Sequence, residues 1–178
     1  MRQRAMIAMA LMGDSQLIIA DEPTSSLDVT VQQQILRLLR QVSRDSGSAA
    51  LVISHDIAVV TELCRRVLVM YAGLIVEDID VETLLTSPAH PYTRALIASI
   101  PMMDTGLDRP LATIPGFPPE PLEVPPGCPF ATRCDYADSQ CLAERPLLQE
   151  ISPGHDVACW HPRTEALPLM RAETGSHR

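Results

Sequence analysis

Residues 17–28 read "LIIADEPTSSLD": an apolar run, the adjacent carboxylates Asp21 and Glu22, a proline, and a short polar loop that closes on Asp28. An apolar run of this length bounded by a Pro-Thr-Ser-Ser loop predicts a buried strand that stops at its carboxylates. The following "VTVQQQILRLLRQVSRDSG" repeats Val31, Ile35, Leu38, Leu39 and Val42 at helical spacing, with Asp28 placed as N-cap and Gly47 just past the end. "AALVISHD" is a second apolar strand, "IAVVTELC" a short helix, and "RVLVMYAGLIVED" two strands joined around Ala72-Gly73. The opening "MRQRAMIAMALM" predicts a further helix. Strands that are apolar throughout and alternate with helices predict a parallel sheet covered on both faces, and an α/β class.

Composition agrees with that class. The 178 residues are 46% hydrophobic but only 3% aromatic, which predicts a core of Leu, Ile, Val, Ala and Met. The net charge is −8, and all 14 basic residues are arginine. With no basic cluster to neutralise phosphates, nucleic-acid binding is set aside. The apolar runs are too short to span a bilayer, and no signal-peptide pattern opens the chain, so a cytoplasmic protein is expected.

The texture changes near residue 87. "SPAHPYTRALIASIP" is a short helix bracketed by prolines, and residues 101–129 hold more than half of the 16 prolines. Such a stretch supports neither helix nor central strand and predicts an extended connector on a surface. Four of the five cysteines follow.

Two sets of residues carry chemistry. Neighbouring strand residues point to opposite sides, so Asp21 and Glu22 cannot share one task. At the carboxyl end of a parallel strand, phosphoryl transfer is served by Asp21 holding magnesium and Glu22 polarising the attacking water. His55, at the end of the next strand, is positioned to reach the same ligand. The second set is Cys128, Cys134, Cys141 and Cys159, spaced C-x5-C-x6-C-x17-C. In a reducing compartment such crowding is better explained by metal than by disulfides. The spacing is looser than the C-x2-C pairs of zinc ribbons, and both zinc and a four-iron cluster stay open. His155 and His161 flank the last cysteine and read either as alternative ligands or as solvated loop residues. Cys64 reads as a buried structural thiol.

The ordered set "MRQRAMIAMAL", "LIIADEPTSSLD", "LVISHD" and "RVLVMYAGLIVE" resembles the second half of an ABC-transporter ATPase. The resemblance implies that "LIIADE" is the Walker B strand with Glu22 as catalytic carboxylate, "SSLD" (Ser25 to Asp28) the D-loop, whose Ser26 to Asp28 face a partner subunit, and His55 the switch histidine. "SPAHPYTRALIASIP", "GCPFATRC" and "ACWHP" resemble the extension of oligopeptide and dipeptide importer ATPases. That family implies a 4Fe-4S cluster on the four cysteines, ATP and Mg2+ as cofactors, and a second ATPase subunit and membrane permease subunits as partners. A peptide-binding protein would join indirectly, and the site of action would be the inner face of the cell membrane.

The expected organisation is a partial P-loop NTPase sheet with covering helices over residues 1–86, a small proline-rich, cysteine-containing extension over 87–162, and a tail over 163–178. A phosphate loop requires G-x-x-x-x-G-K-[ST], and this sequence has no lysine. The expectation is therefore a truncated subunit, inactive alone. The alternatives are a non-catalytic metal-binding or regulatory module, and a non-functional gene remnant.

Overall fold

The structure, a computed structural model, describes residues 15–25, 27–100, 113–120 and 125–167. The expected first helix, Ser26, much of the proline-rich stretch and most of the tail lie outside these residues. The chain is mixed α/β and forms two compact units that divide after Cys64, whereas the composition changes near residue 87.

The N-side unit contains β1 (Leu17–Asp21), α1 (Val29–Ser46), β2 (Ala49–Ile53) and α2 (Ile57–Leu63). β1 and β2 pair in parallel, from Leu17 opposite Ala49 to Asp21 opposite Ile53, so both strands end at the same edge. α1 begins as expected: Asp28 accepts a 3.0 Å bond from the Val31 N–H, which satisfies one of the donors left free at a helix start. It ends at Gly47, whose φ of 67° is left-handed and open to glycine without strain. α2 is capped by Asp56, which accepts from the Ala58 N–H at 2.9 Å. The helices bury Ile35, Leu36 and Val59. The strands depart from expectation. Leu17 and Ile19, with Leu51 and Ile53 opposite on the same face, are all at least 44% exposed. Among the described residues no layer covers that face.

In the C-side unit, β3 (Arg66–Tyr71) and β4 (Leu74–Asp80) form the expected hairpin. Ala72 and Gly73 turn it with φ of 48° and 78°, the left-handed pair that suits the twist of a two-residue hairpin. Two short helices follow, α3 (Val81–Thr86) and α4 (Pro91–Ala98). Asp80 caps α3, and His90 caps α4 ahead of a proline at its first turn. After a 3-10 turn at Ala131–Arg133 come α5 (Ser139–Ala143), β5 (Gln149–Ser152) and β6 (His155–Val157). β6 pairs with β4, giving an antiparallel sheet in the order β3-β4-β6-β5. The extension therefore completes the hairpin's sheet instead of trailing from it.

This unit also corrects the expectation of an aliphatic core. The chain has three tyrosines and two phenylalanines, yet Tyr71, Tyr92 and Phe130 stack on one another with centroids 4.6–5.3 Å apart. Arg133 seals the group, lying 5.9 Å over the Tyr71 and Phe130 rings and donating to the Ile114 and Pro115 carbonyls. It thereby fastens a piece of the proline-rich stretch, residues 113–120, which forms neither helix nor strand.

Candidate functional site

The ends of β1 and β2 bring the expected carboxylate and histidine together. Glu22 follows the last residue of β1 and donates its N–H to the Ile53 carbonyl at 2.9 Å, extending the ladder by one bond. Its φ of 46° is left-handed, a strained conformation for a residue with a Cβ, and such outliers gather where function over-determines the backbone. The turn directs the side chain to His55: Glu22 Oε1 lies 2.8 Å from His55 Nδ1 and accepts the His55 backbone N–H at 3.2 Å. The hydrogen bond to Glu22, with the attraction of its charge, raises the His55 pKa above the ordinary imidazole value. His55 remains largely exposed on its other side. Asp21 ends the strand exposed, and Asp28 is engaged as the α1 cap. Thus Glu22 and His55 form one constellation, with Asp21 adjacent in sequence.

The four downstream cysteines also meet. Cys128, Cys134, Cys141 and Cys159 line one cavity with His90, Phe130 and His161. Gly127 permits the approach: a Cβ there would stand 2.3 Å from the Cys141 carbonyl oxygen, and Cys128 donates its N–H to that same oxygen at 2.8 Å. The thiols are unbridged. Burial pushes Cys159 up to about 12, and its neighbours Cys128, Cys134 and Cys141 add to the rise. Burial is also the first cause of the raised values at Cys128, Cys134 and Cys141. Four crowded thiols resist ionising together, and a cation among them reverses that preference. The donor set fits a thiolate-ligated centre. The four sulfurs do not all lie within 4.8 Å of one another, whereas tetrahedral zinc would hold them about 3.8 Å apart.

A tighter trio is Asp138, Cys141 and His161, whose ligand atoms lie within 4.8 Å of one another. Asp138 is the α5 cap; the Cys141 N–H, then His161, hold its carboxyl down to about 2. Its oxygens are thus already engaged by protein donors. Cys64 is half-buried at the end of α2, where burial raises its thiol.

Sequence reasoning missed the polar centre beside this cavity. Glu77 on β4 is fully buried and accepts from the Ala89 N–H (2.6 Å), the His90 N–H (3.2 Å) and His155 Nε2 (2.8 Å). His155 is therefore a buried partner of Glu77 and not a solvated loop residue. His90 is 1% exposed, and its Nδ1 accepts the Tyr92 N–H at 3.0 Å. Burial drives His90 down to about 4, so the ring is neutral. The signal available in the sequence was the "SPAHPY" stretch, a proline-bracketed turn whose histidine could cap a helix.

Among the described residues, no helix is long and apolar enough to cross a membrane. Residues 76–141 match the family model described as "Oligopeptide/dipeptide transporter, C-terminal region". The chain is 52% identical over 160 residues to a probable peptide ABC transporter ATP-binding protein of Sinorhizobium fredii, covering 90% of this chain and 48% of that protein. It is 46% identical over 167 residues to an oligopeptide transport ATP-binding protein of Escherichia coli, covering 94% and 49%. Against an oligopeptide transport ATP-binding protein of Bacillus subtilis the identity is 45% over 160 residues, covering 90% and 48%. The chain spans about half the length of the curated relatives it matches. Residues 76–141 thus resemble an oligopeptide/dipeptide transporter C-terminal region, and about nine-tenths of the chain is similar in sequence to peptide ABC transporter ATP-binding proteins.

Proposed function

We propose that this chain supplies the carboxyl-side part of an ATP-binding subunit that hydrolyses ATP to drive peptide uptake through membrane permease subunits. The observation that carries the reading is the Glu22–His55 pair, 2.8 Å apart at the ends of two adjacent parallel strands. In this reading residues 1–86 belong to the ATPase domain, 87–162 to the importer extension and 163–178 to a tail. "LIIADE" is the Walker B strand of a P-loop NTPase sheet. Asp21 holds Mg2+, Glu22 orients and polarises the attacking water, and His55 keeps Glu22 in place while offering its exposed edge to the terminal phosphate. Ser26 to Asp28 face a second ATPase subunit. The assembly works at the inner face of the membrane, with a peptide-binding protein joining indirectly.

Cys128, Cys134, Cys141 and Cys159 hold a metal centre that staples an extension with a small core of its own. The resemblance to oligopeptide and dipeptide importer ATPases favours a 4Fe-4S cluster, with zinc as the competing occupant. Such a centre supplies four thiolate bonds that tie the 3-10 turn, α5 and the segment after β6 to one point.

The test is phosphate release. The chain alone, with no lysine to form a phosphate loop, is expected to release no more phosphate from ATP than its Glu22→Gln variant. Joined to the phosphate-loop half of a relative it should hydrolyse ATP, and Glu22→Gln should then lower the rate about 10²–10⁴-fold. Equal rates for the wild-type fusion and its Glu22→Gln counterpart would refute the assignment.

A further inference from the structure

The His90 ring has one edge used and one edge free. Its Nδ1 accepts the Tyr92 N–H, so in the neutral ring the proton sits on Nε2. That N–H is buried and has no hydrogen-bond partner among the described residues. Buried donors are almost always satisfied, and one left open calls for an acceptor that the protein alone does not supply. His90 lines the same cavity as Cys128, Cys134, Cys141 and Cys159. Its backbone is fixed from the other side, since the His90 and Ala89 N–H groups both bond the buried Glu77 carboxylate, itself held by His155. The ring is consequently clamped at its Cα and at Nδ1, with only Nε2–H uncommitted.

We propose that His90 Nε2–H donates a hydrogen bond to a sulfur of the metal centre held by Cys128, Cys134, Cys141 and Cys159, and so positions that sulfur and tunes the centre. The proposal rests on the four-thiolate reading above. A thiolate-ligated centre is rich in sulfur acceptors and carries negative charge. An N–H donor against sulfur stabilises the more reduced state of an iron centre, and in a redox-inactive one it anchors the ligand. His90 is a donor and not a fifth ligand. Ligation through Nε2 would move the proton to Nδ1 and break the bond that starts α4.

Two substitutions separate this role from capping. His90→Asn places an amide oxygen near Nδ1, keeping the cap and removing the Nε2 donor. His90→Gln does the reverse, placing an amide N–H near Nε2. The full chain is purified anaerobically in wild-type form and as His90→Asn, His90→Gln and Cys159→Ser. Metal loss to a chelator is followed, along with the midpoint potential if the metal is iron. His90→Asn should lose metal roughly 10–100-fold more readily and shift an iron midpoint to lower potential, while His90→Gln recovers much of both. Wild-type retention and potential in His90→Asn would overturn the proposal, as would equal impairment in the two His90 variants. A wild type without metal, or a Cys159→Ser variant that keeps it all, refutes the four-thiolate reading and this proposal with it. That failure is recognised from the cysteine arm and not from His90.

Discussion

The two units solve the problem of burying apolar surface in opposite ways. In the N-side unit Leu17, Ile19, Leu51 and Ile53 line one face of a two-stranded sheet and stay at least 44% exposed. In the C-side unit Val76, Ile79 and Val157 are at most 2% exposed, with Tyr71, Tyr92 and Phe130 stacked beside them. Two parallel strands do not normally stand uncovered. The Glu22–His55 pair sits on a sheet one face of which no described residue covers, whereas the C-side unit brings its own core and polar clamp.

The contrast can be broken by mutation. The largest effect is expected at Glu77: Glu77→Ala removes a buried carboxylate that three donors face and should destabilise the C-side unit by about 3–5 kcal/mol. Thermal melting read at Trp160, together with amide exchange, should show that loss while the exchange of α1 stays unchanged. Next comes a matched pair. Ile79→Ala, in the packed sheet, should destabilise by about 2–5 kcal/mol, while Ile19→Ala on the exposed face should change stability by less than about 0.5 kcal/mol, both read by thermal melting. Equal losses from the two would mean that the β1–β2 face is covered after all.

Gly127→Ala sharpens the same picture at the four-cysteine cavity. The new methyl must push the Cys141 carbonyl from 2.3 Å, at a cost of about 1–3 kcal/mol, and should separate Cys128 from Cys141, measured as lower metal content per chain. The smallest effect concerns the open unit. Because Glu22 stabilises the protonated ring, the His55 pKa is raised, so the pair's contribution is complete below the free-histidine value and fades as pH climbs through the raised one. The His55 ring resonance should titrate above the free-histidine midpoint, and Glu22→Gln should return it toward that midpoint. An unshifted wild-type titration would mean that the pair is not formed.

Much of this was readable in the sequence where the determinant is local. The apolar period of α1, its Asp28 cap and Gly47 stop, the Ala72-Gly73 hairpin and the ends of β1 and β2 all follow from neighbours within a few residues. The four downstream cysteines stand close in sequence and line one cavity. What escaped is long-range. Glu77 is one of three acidic residues in "LIVEDID", and only its partners at residues 89, 90 and 155 make it a buried centre. β5 and β6 are too short to carry a period of their own and form by pairing on β4. The Gly127 requirement comes from a carbonyl that sequence spacing does not place nearby.

The most direct test is the metal content of the full chain purified anaerobically, beside its Cys128→Ser variant. About four iron and four sulfide per chain, with visible absorbance that disappears in the variant, is the predicted result. One zinc per chain lost in the same variant would keep the four-thiolate site and correct its occupant. A metal-free wild type, or a variant that holds as much metal as the wild type, would contradict the account.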